Sequence, residues 1–146
     1  MKRLPIVIVG ASLAGGTAAV TLRDEGFDGD IVLIGAESEL PYNRPPLSKG
    51  YLRGQDRFAD QLVKPAAYYT EQHIELKLGV RAAAIDATQK VVELEGGERV
   101  AYDRLLVATG GRNRIFSAPG ATLPGVFQLR NSSPQDGSIV PVTPGP

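Results

Sequence analysis

Near its N-terminus the chain reads Leu4-Pro5-Ile6-Val7-Ile8-Val9, an apolar run that leads directly into Gly10-Ala11-Ser12-Leu13-Ala14-Gly15. This pattern predicts a buried strand, a glycine-rich turn and the first turn of a helix. A second apolar run, Ile31-Val32-Leu33-Ile34, follows the helical stretch and ends near Glu37. The order strand, glycine turn, helix, strand and acidic residue predicts the βαβ unit that holds a dinucleotide.

Each part of this unit has a chemical task. Gly10 lacks Cβ and can make a tight turn, which aims backbone N–H groups and the positive end of a helix dipole at a pyrophosphate. Gly15 lets the helix lie close to the strand. Ser12 stands where the usual motif has its second glycine, and its small side chain still permits close approach to a phosphate. Glu37 can accept hydrogen bonds from ribose hydroxyls and would repel a 2′-phosphate, which favours FAD or NAD over NADP.

The bulk properties exclude several classes of protein. The 146 residues suit one domain, and 16 basic residues balance 16 acidic ones, so a general nucleic-acid binder is not expected. No apolar run approaches a membrane span of about 20 residues, and the first apolar run is too short for a signal peptide, so we expect a cytoplasmic protein. The chain has no cysteine and one histidine, so neither a disulfide nor a thiolate-held metal is possible, and we expect no metal site. We interpret that histidine, His73, as structural.

The remaining pattern predicts further elements. Residues 13–25 should form a helix whose buried face carries Ala14, Gly15, Ala18, Ala19 and Leu22. A short helical piece is expected at 48–52, a helix from 65 to 72 and a strand at 74–78. Three short strands at 81–86, 91–95 and 99–102 should form an antiparallel β-meander, with Gly96-Gly97 as a hairpin turn. A last buried strand, 104–108, should run into Thr109-Gly110.

One longer string points to a particular family. Pro41-Tyr42-Asn43-Arg44-Pro45-Pro46-Leu47-Ser48-Lys49 resembles the P-Y-x-R-P-P-L-S-K segment of ferredoxin/rubredoxin reductase-like flavoproteins. These enzymes belong to the pyridine nucleotide-disulfide oxidoreductase superfamily. Leu105-Leu106-Val107-Ala108-Thr109-Gly110 is similar to the strand end of that family, and Gln128-Leu129-Arg130 is similar to its x-L-R element. The resemblance covers about residues 4–130.

The resemblance implies a fold, a cofactor and a set of site residues. The fold would be α/β, a Rossmann-like parallel sheet of the glutathione reductase type with strand order 74–78, 31–34, 5–9, 104–108, joined by the meander and incomplete as it stands. The cofactor would be FAD, with NAD(P)H as co-substrate of the full-length family. The pyrophosphate would be lined by Gly10, Ser12, Leu13, Ala14, Gly15, Thr109 and Gly110.

Other positions would serve the two ends of the cofactor. The resemblance implies that Glu37 holds the adenosine ribose, Ala82 offers its backbone to the adenine, and Arg44 contacts the adenosine or phosphate end. Lys49 would lie beside the isoalloxazine and Arg130 near the flavin. A fixed ammonium at Lys49 would favour the reduced, more negative flavin, which makes Lys49 the candidate catalytic residue. The alternative is that Lys49 and Arg44 are solvated surface charges.

The absence of cysteine from the sequence limits the electron acceptors to be expected. Because no dithiol is present, electrons would leave the flavin one at a time, to a ferredoxin or rubredoxin. Full-length relatives continue into an NAD(P)-binding domain, so we expect residues 1–130 to be a partial FAD/NAD(P)-binding domain and 131–146 a disordered or aberrant tail. A truncated fragment of this kind would not be a competent reductase by itself and could need a complementing chain.

Two other interpretations remain open from the sequence. The βαβ unit could serve a non-catalytic module that binds NAD or ADP, or it could pack a core and bind nothing. The chain could also be the remnant of a gene that no longer encodes a working protein. A yellow chromophore after purification would favour the flavoprotein, and a colourless protein that binds ADP would favour the module.

Overall fold

The computed structural model describes residues 3–114, 117–126 and 128–132. The chain divides into two compact units. The first unit contains the described residues up to Asn43 together with Leu62–Gly110. The second contains Arg44–Gln61 together with the described residues from Gly111 onward. No described helix is long and apolar enough to cross a membrane.

A four-stranded parallel sheet forms the centre of the first unit. Its strands are β1 (Ile6–Val9), β2 (Ile31–Gly35), β3 (Ile74–Leu78) and β7 (Arg104–Val107), in the order β3-β2-β1-β7. Ile6 pairs with Ile31 on one side and with Arg104 on the other. The predicted strand order is therefore confirmed. The central strands β1 and β2 are buried over almost their whole length, which explains their unbroken apolar sequence. The prediction that the last strand, 104–108, is also buried is wrong, because β7 is the end strand of this sheet and its Leu106 and Val107 are 40% and 55% exposed.

Two helices lie on one face of this sheet. Helix α1 (Leu13–Asp24) confirms the predicted helix, and α2 (Ala66–Glu71) lies within the predicted 65–72. The buried core on this face is made of Ile8, Ala19, Ile31, Leu33, Tyr69 and Ile74.

The prediction of which residues form the buried face of α1 is partly wrong. Gly15 and Ala19 are buried as expected, but Ala14 is exposed, and Gly16 and Val20 are buried instead. The reason is a second neighbour that periodicity does not reveal, because Pro41 packs so closely on Gly16 that a Cβ there would collide with the proline ring.

The β-meander covers the other face. It consists of β4 (Ala82–Asp86), β5 (Val91–Leu94) and β6 (Arg99–Ala101), paired antiparallel in that order, as predicted. The hairpin closes at Gly96-Gly97, where Leu94 N–H donates to the Glu98 carbonyl at 2.8 Å. The core between meander and sheet contains Val7, Val9, Val32, Ile34, Val92, Leu94 and Tyr102.

Arg23 joins the ends of the elements on the helical face. Its guanidinium donates to the carbonyl oxygens of Phe27 and Gly29 and to those of Gln72 and His73, at 2.6–3.1 Å. His73 is exposed and has a left-handed backbone with φ 50°. Its carbonyl oxygen, rather than its imidazole, takes part in this network, which agrees with a structural role for the residue.

The second unit contains two short 3₁₀ helices, Pro45–Ser48 and Phe58–Gln61. The first begins three residues earlier than the helical piece predicted at 48–52, because two prolines at its start preset the backbone for a helical turn. Of the predicted tail 131–146, only Asn131 and Ser132 lie within the described residues, so the tail stays a prediction.

Tyr69 should make the stability of the protein sensitive to alkaline pH. Its side chain is 1% exposed, its hydroxyl has no hydrogen-bond partner within the part of the chain that the structure describes, and burial raises its pKa to about 12. An unfolded tyrosine ionises near pH 10, so between about pH 10 and pH 12 the unfolded state loses a proton that the folded state keeps. The contribution of this group to the free energy of unfolding is complete below pH 10 and is lost above it.

The Tyr69→Phe variant should match or exceed the parent in stability at about pH 8, by up to roughly 1 kcal/mol, because an unpartnered buried hydroxyl is removed. At about pH 11 its advantage should grow by roughly 1 kcal/mol. Urea unfolding at both pH values measures the difference, and an advantage that does not change with pH would contradict the prediction.

Candidate functional site

The β1–α1 turn is built around Gly10. Its backbone has φ 115°, and its N–H donates to the Ile34 carbonyl oxygen at 2.8 Å, which ties the turn to β2. A Cβ at this position would collide with the carbonyl group of Ala108 and would lie 2.9 Å from the Thr109 nitrogen. Only glycine satisfies both the backbone angle and this close contact with the end of β7.

Gly15 and Gly35 complete the tight packing of this turn. A Cβ at Gly15 would collide with the Gly10 carbonyl oxygen and would lie 3.2 Å from an Ile8 methyl group. A Cβ at Gly35, the last residue of β2, would lie 2.5 Å from the Ala11 Cβ. The predicted role of Gly15 in close helix–strand packing is therefore visible in the backbone itself. The part played by Gly35 was missed in the sequence, where it read as the end of an apolar run.

The start of α1 presents backbone donors. Ser12 is the extended N-cap residue, and the first intrahelical bond runs from the Gly16 N–H to the Ser12 carbonyl at 2.8 Å. The N–H groups of Leu13, Ala14 and Gly15 precede that bond and have no acceptor within the helix. Leu13 and Ala14 are exposed, and the first turn carries no acidic residue. This geometry suits an anion at the N-terminus of α1.

Glu37 lies just beyond the carboxyl end of β2 and is half-buried. The Tyr42 hydroxyl donates to its Oε2 at 2.7 Å. Its backbone oxygen accepts from the Gly79 N–H at 2.8 Å, and the Val80 N–H donates to the Gly35 carbonyl at 3.1 Å. Glu37 is thus held through both its backbone and its carboxylate. The sequence places Tyr42 in the proline-rich string, but only the structure reveals its contact with Glu37.

Thr109 and Gly110 lie at the same edge of the first unit as the Gly10 turn. Thr109 and Gly110 follow β7, and the Ala108 N–H continues the ladder by donating to the Val9 carbonyl at 2.7 Å. Ala82 begins β4, two residues after the Val80 that is bonded to Gly35. In a parallel sheet the carboxyl ends of all strands meet at one edge, and the chain order reverses between β1 and β7. Ligands of such sheets bind at that reversal.

The other three predicted site residues belong to the second unit. Arg44 donates from Nη1 to the Arg130 carbonyl at 2.8 Å and to Asn131 Oδ1 at 2.7 Å. The structure therefore brings Arg44 and the backbone of Arg130 together. Lys49 follows the first 3₁₀ helix and is exposed, and its ammonium makes no ion pair with any of the residues described.

The described residues contain no candidate metal-binding site. Within residues 3–114, 117–126 and 128–132, no group of three or more His, Asp or Glu side chains could hold an ion. The predicted site residues of the first unit instead offer backbone donors and one carboxylate, and those of the second unit offer three cations. Backbone donors and cations are groups that bind phosphates.

Comparison with known proteins then identifies the family. Residues 4–140 match the family model described as pyridine nucleotide-disulphide oxidoreductase. The chain belongs to this family. Its enzymes use FAD together with NAD(P)H.

Two relatives show where in the family the chain lies. It is 44% identical over 129 residues to the rhodocoxin reductase of Rhodococcus erythropolis, covering 88% of this chain and 30% of that protein. It is 41% identical over 128 residues to the rubredoxin-NAD(+) reductase of Pseudomonas putida, covering 88% and 33%. The chain thus spans about a third of the length of the curated relatives it matches.

Solved structures agree. A ferredoxin reductase from Rhodopseudomonas palustris superposes with a TM-score of 0.80 at 39% identity, over 87% of this chain and 31% of that one. The putidaredoxin reductase in a covalent complex with putidaredoxin gives 0.76 at 38% identity, over 84% and 29%. The chain therefore has the fold of the corresponding part of these reductases, which confirms the fold class and the resemblance inferred from the sequence.

The residues present fit an FAD at the carboxyl edge of the sheet. The deciding observation is that Gly10 and Gly15 have no room for a Cβ, which would collide with backbone atoms. Both glycines lie next to the backbone donors at the N-terminus of α1. A dinucleotide pyrophosphate needs such close access to the main chain, and a carboxylate at the end of the next strand suits its ribose.

Gly15→Ala should destabilise the first unit severely. Its Cβ would meet the Gly10 carbonyl oxygen, which is backbone and cannot move aside without shifting the turn. We expect a loss of at least about 2 kcal/mol in the free energy of unfolding, measured with urea. Gly111→Ala is the matched control, because among the described residues no atom outside its immediate chain neighbours lies within 4 Å of the added Cβ. The control should change stability by less than about 0.5 kcal/mol, and equal effects of both substitutions would contradict the argument.

Proposed function

We propose that this chain supplies an FAD-binding site of an NAD(P)H-dependent reductase whose electrons pass to a ferredoxin or rubredoxin. The observation that carries the proposal is the convergence at one sheet edge of the Gly10 turn, the start of α1, the end of β7 and the Glu37 carboxylate. That convergence provides one surface for a pyrophosphate and, on the adjacent strand, one for a ribose.

The pyrophosphate would bind the main chain of the turn. In this proposal Gly10, Ser12, Leu13, Ala14 and Gly15 bring their backbone against the phosphates, and Thr109 and Gly110 approach from the end of β7. The main support is the first turn of α1, where Leu13 and Ala14 are exposed and no acidic residue stands, so that its N–H groups and dipole both favour negative charge. Ser12 accommodates the phosphate in place of a glycine because its side chain is small.

The adenosine end would use Glu37 and Ala82. Glu37 accepts from the ribose hydroxyls, and the backbone of Ala82 faces the adenine. The support for this pairing is the pair of backbone bonds that hold residues 79–80 alongside Gly35 and Glu37. Arg44 contacts the adenosine or phosphate end as a cation.

The flavin end would use Lys49 and Arg130. FAD, when bound, supplies a centre that accepts two electrons from NAD(P)H and releases them singly. Lys49 provides a positive charge beside the isoalloxazine, which favours the state with added electrons, and Arg130 binds nearby. The support is that the ammonium of Lys49 is exposed and makes no ion pair with the described residues, so its charge is not neutralised within them.

The electron donor and acceptor follow from the relatives. Their names specify NAD(+) or NAD(P)(+) on one side and ferredoxin, rubredoxin or rhodocoxin on the other. The absence of cysteine from these 146 residues supports transfer to such a protein rather than to a dithiol within the chain. A cytoplasmic location belongs to the same proposal, because NAD(P)H is regenerated by metabolism inside the cell.

The first test is retention of FAD. The chain is purified with FAD, free cofactor is removed, and the visible absorption spectrum is recorded. Flavin bands close to one FAD per chain are expected. Glu37→Ala should weaken retention by roughly tenfold, since hydrogen bonds to a charged group contribute about 1.5–3 kcal/mol. Glu71→Ala, an exposed acid in α2, is the matched control. A colourless protein, or equal loss in both variants, would contradict the assignment.

The second test concerns Lys49. Lys49→Met removes the charge and keeps much of the chain length, so the reduction potential of bound FAD should become more negative by about 20–30 mV, which corresponds to roughly 1 kcal/mol. Arg53→Met removes another exposed cation of the second unit and should leave the potential within about 5 mV if distance and solvent screen it. Spectroelectrochemical titration measures both, and equal shifts would show that Lys49 acts only through net charge.

A further inference from the structure

The hydroxyl of Tyr42 makes a hydrogen bond that neither the reaction nor the family motif explains. It donates to Glu37 Oε2 at 2.7 Å, although the tyrosine side chain is only 2% exposed. A buried tyrosine usually directs its hydroxyl to a partner, and a carboxylate is a strong one. The bond therefore joins a fixed interior group to the half-buried carboxylate at the end of β2.

The backbone around Tyr42 is held from both sides. Tyr42 forms an isolated antiparallel bridge with Leu62, and the Val63 N–H donates to the Pro41 carbonyl at 2.8 Å. Pro41 also packs on Gly16 of α1, where a Cβ would collide with the proline ring. These contacts fix the position from which the hydroxyl is presented.

Glu37 combines a fixed backbone with a side chain that is flexible by its own chemistry. Its backbone is held by the Gly79 N–H, but its side chain has three rotatable bonds and lies at the edge of the sheet. Ordering such a side chain on ligand binding opposes binding, because several rotamers must be given up. A rigid donor that selects one carboxylate position before the ligand arrives reduces that opposition. A carboxylate can accept from a tyrosine and from ribose hydroxyls at the same time.

We propose that Tyr42 is a positioning residue that pre-orders the Glu37 carboxylate for the two ribose hydroxyls of an adenine nucleotide. This inference rests on the ribose-binding role given to Glu37 in the proposed function. Tyr42 acts through Glu37 and does not itself touch the ligand, because it is buried. The same hydrogen bond therefore links selectivity for a ribonucleotide to a residue inside the core.

The test compares two nucleotides that differ only in those hydroxyls. The probes are ADP, which corresponds to the adenosine and pyrophosphate part of FAD, and 2′,3′-dideoxy-ADP. Isothermal titration calorimetry gives both dissociation constants for the 146-residue chain and for Tyr42→Phe, Glu37→Ala and the double variant. Tyr69→Phe is the matched control, since it also removes a buried hydroxyl, but one with no partner within the described residues.

The parent chain should prefer ADP, and Tyr42→Phe should reduce that preference by about threefold to tenfold while leaving the affinity for dideoxy-ADP unchanged. Adding Tyr42→Phe to Glu37→Ala should have no further effect, because the tyrosine acts through the carboxylate. Tyr69→Phe should leave the preference as in the parent.

Other outcomes distinguish a failure of the positioning role of Tyr42 from a failure of the ribose-binding role of Glu37. Equal weakening of both nucleotides by Tyr42→Phe, or an unchanged preference for ADP, would overturn the positioning role and leave the proposed function standing. A reduction by Tyr42→Phe that persists in the Glu37→Ala background would also overturn it. If the parent chain binds both nucleotides equally well, or if Glu37→Ala keeps the full preference, the ribose-binding role of Glu37 fails and this inference fails with it.

Discussion

The backbone contact at Gly10 is the constraint on which the rest of the first unit depends. There the turn after β1 approaches the end of β7, bonds to the end of β2 and leaves no room for a Cβ at Gly15. Side chains at these positions would separate the helix from the sheet. The same lack of side chains exposes main-chain donors at the edge. The contact that closes the fold is therefore also the contact that a pyrophosphate needs.

The environment of Glu37 extends this principle to the adjacent strand. A carboxylate at the end of β2 would be mobile if only the strand carried it. Backbone bonds from residues 79–80 and the hydroxyl of Tyr42 hold it instead, and Tyr42 is itself held by the Leu62 bridge. Segments distant in the sequence thus determine the position of one functional group. This follows from the geometry of parallel strands, whose carboxyl ends share one edge.

The two units contribute different kinds of chemistry. The first offers main-chain donors and a carboxylate, both held by a sheet whose two central strands are buried on both faces. The second offers cations that flank a short 3₁₀ helix or lie in irregular chain, and Arg44 donates to the Arg130 carbonyl and to the Asn131 side chain. A rigid sheet edge suits recognition of a nucleotide, whereas an exposed cation suits electrostatic tuning of a bound ring, which is the role that the proposed function gives to Lys49. The family match accounts for their presence in one chain.

The sequence by itself determined the elements of the first unit and the glycine turn, and the family resemblance that it carries supplied their order in the sheet. It could do so because buried parallel strands are continuous apolar runs and because Gly10 and Gly15 occur at motif spacing. The family resemblance supplied Arg44 and Lys49 through the proline-rich string and Arg130 through the Gln128-Leu129-Arg130 element, as candidates that local physics alone would leave as surface charges. Tertiary structure decided what depends on neighbours distant in the chain. Pro41 on Gly16 changed the buried face of α1, Gly35 proved to be in contact with Ala11, and Tyr42 proved to be the partner of Glu37. Periodicity describes how one element faces a core, but it contains no information about which other segment will cover its second side.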